Sequence, residues 1–202
     1  GFLVAFGRVA PFVATLVGMV AFRSLCLAMA EGGEIRSSSY QVFPNWGTGG
    51  LPLPFVKTAS GTPLVVTWGM LSFIVLAVVI GLYLNRTIGG RYTIAVGANE
   101  RAAKYSAIDT RKVKFGVYTI MGLLAGVAGL AMATRMNSVA TSTLGLYKEL
   151  DAIAAVVIGG TSLRGGFGRI WGTVVGVLLL GIITNMLVVA NVSIYWQGFV
   201  KG

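Results

Sequence analysis

The sequence contains no histidine, one cysteine and six acidic residues among 202. Without imidazole it lacks the side chain most used for proton transfer near neutral pH and the commonest metal ligand. A single thiol, Cys26, leaves no disulfide framework and no paired-cysteine site. Charged residues make up only 11% of the chain against 55% hydrophobic, where a soluble domain carries about 25% charged residues. Such a chain cannot cover itself in water, and composition points to a membrane protein. The net charge of +10 does not redirect this toward nucleic acid. The bases gather between apolar runs rather than along a solvated face, as they do in cytoplasmic loops of membrane proteins.

What the chain has in abundance is long apolar runs. Residues 64–84, "LVVTWGMLSFIVLAVVIGLYL", are 21 residues without a charge. As a helix they measure about 31 Å, against a hydrocarbon core of roughly 30 Å. Residues 115–134 and 170–190 are further spans of this kind. A fourth, 12–30, follows Pro11 and is interrupted by Arg23. The expected fold is all-α, a polytopic transmembrane helix bundle forming a single domain over 1–202. Gly122-x-x-x-Gly126 and Gly172-x-x-x-Gly176 have the spacing at which small residues let membrane helices approach closely. The chain opens in apolar sequence at Gly1, with no initiator Met and no basic leader, and stops shortly after an apolar segment. It is expected to be a partial chain.

Charge sets the orientation. The connector 85–114 holds seven basic and two acidic residues, which places it in the cytoplasm. The span 64–84 then runs inward, 115–134 runs outward, and the loop 31–63 is external. That loop's Glu31, Glu34, Arg36 and Lys57 sum to zero, and its "FPNWGTGGLPLP" reads as turns and extended chain.

Residues 139–160 resist a simple span. The uncharged part, 152–158, is too short to cross, and Lys148, Glu149 and Asp151 would each cost about 2.5–3.5 kcal/mol at the bilayer centre. We expect a short or re-entrant segment over 145–160, entering from outside and completed by the glycine-rich turn, with Arg164 and Arg169 on the cytoplasmic side. Arg23, Glu149 and Asp151 are candidates for a polar solute path or gate, since ionisable groups at membrane depth are functional candidates by default. Gly159 and Gly160 join them as a site of close backbone approach. "GTSLRG" at 160–165 has the outer spacing of a phosphate loop. Gly166 and Phe167 stand where that motif requires Lys and then Ser or Thr, so no nucleotide site is expected. No catalytic, cofactor or metal residues are expected.

One polar stretch remains, "GANERAAKYSAIDTRKVKF" at 97–115, which carries five of the 16 basic residues. "NERAAKYSAI" reads as a short helix with small residues on adjoining faces and charge around them. A lone loop helix of this kind has no buried side within its own membrane domain, which suits it to a groove on another protein.

"NERAAKYSAID" resembles the cytoplasmic coupling motif of ABC-importer permeases. "ELDAIAAVVIGGTSLRGGFGRIWGT" is similar to the signature stretch of the ribose/monosaccharide branch of that family, and "PFVATLVGMVAFRSL" and "GRYTIAVGANERAAKYSAI" fit it in the same order. Ala107 stands where the family usually has Gly. The resemblance covers nearly the whole chain. It implies the membrane-embedded permease subunit of an ATP-driven importer for a monosaccharide or similar small polar solute, in a bacterial plasma membrane. It also implies a second permease copy, a separate cytoplasmic ATP-binding subunit that performs the hydrolysis, and an extracytoplasmic solute-binding protein. Asn99, Glu100, Arg101, Ala102, Ala103 and Ile108 would dock on the ATP-binding subunit. The alternatives are a related permease for branched-chain amino acids or nucleosides, an ATP-independent channel or carrier, and, more remotely, an enzyme. On this reading Glu100→Lys with Ala103→Asp is expected to abolish uptake and solute-stimulated ATP hydrolysis without affecting membrane insertion, measured in reconstituted vesicles.

Overall fold

The computed structural model describes residues 1–7, 9–36, 47, 49–57, 63–136, 138–141, 143–146 and 148–193. In chain order the elements are α1 (Phe2–Ala5), α2 (Pro11–Met29), β1 (Glu34–Arg36), β2 (Gly50–Lys57), β3 (Pro63–Thr67) and α3 (Trp68–Arg86). There follow α4 (Ile88–Ala98), α5 (Glu100–Tyr105), α6 (Thr110–Met136), β4 (Ser138–Ala140), α7 (Lys148–Ile158) and α8 (Ile170–Val189). Four of these helices, α2, α3, α6 and α8, are long and apolar enough to cross a membrane. Almost none of their residues is fully buried by the rest of the chain, though many are half-buried. Among the described residues the buried apolar side chains are Val4, Ala5, Ala103 and Ala155, and Thr110 is the buried polar one. A water-soluble fold of this length would need a real core. Here the apolar surface faces outward, as lipid or further helices require.

Contacts divide the chain into two units, Gly1–Leu76 with Thr110–Gly145, and Ala77–Asp109 with Leu146–Gly202. In the first unit α1 packs on α6, with Phe6 between Phe2 (5.2 Å) and Phe115 (6.3 Å, edge to face). At the far end of α6, β4 pairs antiparallel with β1, Glu34 opposite Ala140 and Arg36 opposite Ser138. The Thr141 hydroxyl donates to the Gly33 carbonyl at 3.0 Å. The ends of α2 and α6 are therefore tied together. Gly47 abuts the backbone at Thr134 near the end of α6, and β2 pairs with β3, which leads directly into α3.

The span expected over 64–84 starts later, because Pro63–Thr67 is strand β3. Its β-branched run Val65-Val66-Thr67 suits an extended backbone. Leu51 lies opposite Val66 and Gly50 opposite Thr67, and the Trp68 N–H donates to the Gly49 carbonyl at 3.2 Å. The helix expected over 115–134 runs Thr110–Met136, about 40 Å at 1.5 Å per residue. Its first turn carries Arg111, Lys112 and Lys114 beyond the apolar stretch. Basic residues there oppose the helix dipole, so helix stability does not account for them. The parts of the expected external loop at 37–46, 48 and 58–62 lie outside the described residues.

In the second unit α7 and α8 form an antiparallel hairpin. The segment at 145–160 is a helix of 11 residues, about 16 Å long and half a bilayer core. Gly159 and Gly172 meet backbone to backbone, and Gly176 meets the Ala155 carbonyl, so side chains at these glycines would overlap main chain. The small-residue spacing at 172 and 176 is thus used inside the chain. Gly122 and Gly126 on α6 have open space around them.

Overpacking of this kind costs about 1–3 kcal/mol, so Gly176→Ala is expected to lower the thermal unfolding midpoint in detergent. Gly181→Ala, placed on the same helix with nothing within 4 Å, is expected to leave it unchanged or raise it.

Candidate functional site

The basic connector at 85–114, read above as a loop with one short helix, is helical along most of its length. Single residues join α3 to α4 and α4 to α5. Thr87 closes α3 and opens α4: its hydroxyl donates to the Tyr83 carbonyl (2.6 Å) and accepts from the Gly90 N–H (3.1 Å). Asn99 does the same between α4 and α5. Its backbone N–H donates to the Ala95 carbonyl at 3.1 Å, and its side-chain oxygen accepts from the Ala102 N–H at 3.1 Å. An asparagine is among the best residues for that second role. Glu100 in the first turn and Lys104 in the last complement the dipole of this short helix.

The end of α5 is closed by two reverse hydrogen bonds, Ile108 N–H to the Ala103 carbonyl (3.1 Å) and Ala107 N–H to the Lys104 carbonyl (3.1 Å). This is the Schellman arrangement, which needs a left-handed residue after the cap and so favours glycine. Ala107 fills that place with φ 60°. The same pattern ends α2 at Glu31, α7 at Gly160 and α8 at Asn191, all with positive φ.

The six residues expected to dock do not share one environment. Arg101, Ala102 and Asn99 are exposed, Glu100 and Ile108 are half-buried, and Ala103 is buried at 4% exposure. Glu100 is engaged within the chain. The short helix therefore has a buried position of its own within the chain, Ala103, contrary to the expectation above. An aspartate at 103 would disrupt the chain's own packing, so the double variant proposed above does not isolate docking. The exposed face comprises Arg101, Ala102, Lys104 and Tyr105, and Tyr105 is 92% exposed. Sequence reasoning passed over Tyr105. Its signal was an aromatic ring in the most polar stretch of the chain.

Of the residues expected along a solute path, Glu149 and Asp151 stand in the first turn of α7. Lys148 donates to Asp151 at 3.1 Å with both side chains substantially exposed, a pairing worth at most about 1 kcal/mol. Gly159 and Gly160 lie at the other end of α7, and Arg23 is half-buried on α2 in the first unit. Among the described residues no three His, Cys, Asp or Glu side chains group as a metal site would require.

The loop 161–169 follows α7 rather than a strand. It closes on itself: Ser162 N–H donates to the Phe167 carbonyl (3.0 Å), Gly165 N–H to the Ser162 carbonyl (3.1 Å) and Arg164 N–H to the Ser162 hydroxyl (3.2 Å). These amides point inward to their own loop, not to a phosphate. Sequence reasoning did not foresee where the loop rests. Gly165 and Gly166 lie on the backbone of Gly97 and Ala98, immediately before Asn99.

Residues 1–202 match the family described as branched-chain amino acid transport system / permease component. The chain is 41% identical over 206 residues to the ribose import permease protein RbsC of Bacillus subtilis (strain 168), covering 100% of this chain and 59% of that protein. It is 41% identical over 207 residues to the protein of the same name from Escherichia coli (strain K12), covering 100% and 60%. It is 32% identical over 206 residues to the L-arabinose transport system permease protein AraH of Escherichia coli (strain K12), covering 100% and 57%. The chain thus spans 57–60% of the length of these relatives. No solved structure matches it significantly.

A left-handed alanine costs about 1–2 kcal/mol that glycine does not incur. Ala107→Gly is therefore expected to slow hydrogen exchange at the amides of residues 106–108 by about fivefold or more, measured by exchange mass spectrometry.

Proposed function

The chain belongs to the branched-chain amino acid transport system permease component family, and from that premise we propose that it is membrane-spanning sequence of an ATP-driven importer for a ribose-like monosaccharide. Likeness to ribose and arabinose permeases supports a sugar over an amino acid. The chain supplies the solute path and the coupling element, not an active site. ATP hydrolysis belongs to a separate cytoplasmic subunit. A second permease copy completes the path, and a solute-binding protein delivers sugar to the outer side.

The observation that carries this reading is the connector α4–Asn99–α5, two helices capped at one shared extended residue, with an exposed basic and aromatic face. An element that transmits force needs stiffness and an open contact surface rather than reactive groups, and the shared cap and the exposed face support that role. On this reading ATP-driven closure of the partner subunits moves α5 as a rigid element and switches which side of the membrane the cavity faces. Arg101, Ala102, Lys104 and Tyr105 make the contact, Asn99 and Ile108 hold the helix that presents them, and Glu100 and Ala103 hold its inner side.

The β1–β4 pairing supports the topology. It ties the segments that follow α2 and α6, as it should if both helices emerge on the outer face, opposite the connector. Half-length α7, with its charged start outward and its glycine end inward, then brings Glu149 and Asp151 to the outer part of the solute path. Gly159 and Gly160 lie toward its inner end.

Two tests separate the readings. With the ATP-binding subunit and binding protein in proteoliposomes, Ala102→Asp combined with Tyr105→Ala is expected to abolish ATP-driven ribose uptake and ribose-stimulated hydrolysis while the permease still inserts. Normal uptake by that variant would remove the docking role, and uptake without ATP would favour a passive carrier. An impermeant thiol reagent is expected to reach Lys104→Cys, in a Cys26→Ser background, from the cytoplasmic side alone.

A further inference from the structure

The loop between α7 and α8 touches the connector through main chain, with almost no side chain between. A Cβ on Gly166 would lie 2.9 Å from both Cα and Cβ of Ala98, and one on Gly97 would lie 3.1 Å from the Gly166 nitrogen. A Cβ on Gly165 would overlap the Gly97 carbonyl. Real Cβ atoms stay farther from other atoms than the approaches at 165 and 166 allow, so the contact as it stands requires glycine at both, while at 97 a Cβ would be tight. Both loop residues also hold left-handed backbone, φ 86° at Gly165 and 77° at Gly166, which glycine adopts without penalty. Two independent demands, conformation and space, fall on the same pair.

What lies on each side of this contact gives it meaning. Gly97 and Ala98 end α4, and the next residue is Asn99, whose side chain opens α5. On the loop side, the hydrogen bonds from Ser162 and Gly165 keep the turn closed, and α7 and α8 meet at Gly159–Gly172 and Ala155–Gly176. A series of backbone contacts therefore runs from the start of α5 to the first two turns of α8. Flexible side chains would absorb a small displacement by changing rotamer. Main-chain atoms in contact have no rotamers through which to absorb it.

We propose that Gly165 and Gly166 are positioning residues that latch the α7–α8 hairpin to the connector, so that displacement of α5 carries α7 and α8 with it as one body. This rests on the coupling role proposed above and names the route by which that role reaches the membrane helices. The latch stays closed throughout the transport cycle.

The test uses the permease assembled with its ATP-binding subunit and binding protein in proteoliposomes, with labelled ribose and phosphate release read in parallel. Gly166→Ala drives a methyl group into Ala98. It is expected to raise the ATP hydrolysed per ribose imported by about tenfold, and Ala98→Gly, which removes one of the two opposing atoms, is expected to restore much of the ratio, as residues in contact do in a double-mutant cycle. A merely structural role would lower both activities together and leave their ratio unchanged. Because Gly166→Ala also strains the loop backbone, a second arm uses Gly97→Ala, which sits on helical backbone and whose Cβ would lie 3.1 Å from the Gly166 nitrogen. It is expected to raise the same ratio by a few fold while the permease keeps its thermal unfolding midpoint in detergent. Additive effects at 98 and 166, or an unchanged ratio in both Gly166→Ala and Gly97→Ala, would overturn the latch. Failure of the unsubstituted permease to import ribose with ATP would instead overturn the transport reading, and the latch's role with it.

Discussion

A peptide group that enters hydrocarbon must bring its hydrogen-bond partner with it, and the main features of this chain follow from that requirement. The membrane-length segments are helices, whose bonds are internal. The strands are confined to short segments outside those helices and pair in twos. Helix ends, where four carbonyls lose their partners, are the weak points, and four helices end in the same reverse-bonded turn. The residues filling its left-handed place are Glu31, Ala107, Gly160 and Asn191. Only one of them is the residue that place favours. The arrangement recurs because the carbonyls must be satisfied, even where the side chain makes it costly.

Much of the fold was legible because hydropathy and length alone settle a spanning helix. Four spans were read within a few residues, and the half-length segment at 145–160 was readable from its three charges. Misplaced boundaries had local causes. At Leu64–Thr67 an apolar run continues into β-branched residues that pair as a strand, and hydropathy cannot distinguish the two. At Thr110–Lys114 the helix outruns the apolar stretch, and hydropathy reports the membrane rather than the helix. Helix α4 was hidden by Gly89, Gly90 and Gly97, whose low helix propensity is outweighed by the Thr87 and Asn99 caps.

The candidate site was less legible, and for a different reason. "NERAAKYSAI" marked the candidate docking stretch, but its small residues look alike in sequence. Ala102 is exposed and Ala103 is buried within the chain, a distinction that depends on tertiary packing and not on residue type. The meeting of Gly165–Gly166 with Gly97–Ala98 joins positions nearly seventy residues apart. Contacts between backbones leave no complementary pair of side chains for a single sequence to reveal.

Asn99 belongs to two helices at once, and that gives the junction a fixed length. Each residue in an α-helix advances the direction of its side chains by about 100°. One residue inserted between Ala98 and Glu100 would turn Arg101, Lys104 and Tyr105 away from their present heading, and one removed would leave a helix uncapped. Hydropathy places this stretch among loops, where length ordinarily drifts, yet its geometry tolerates insertion no better than a strand in the middle of a sheet.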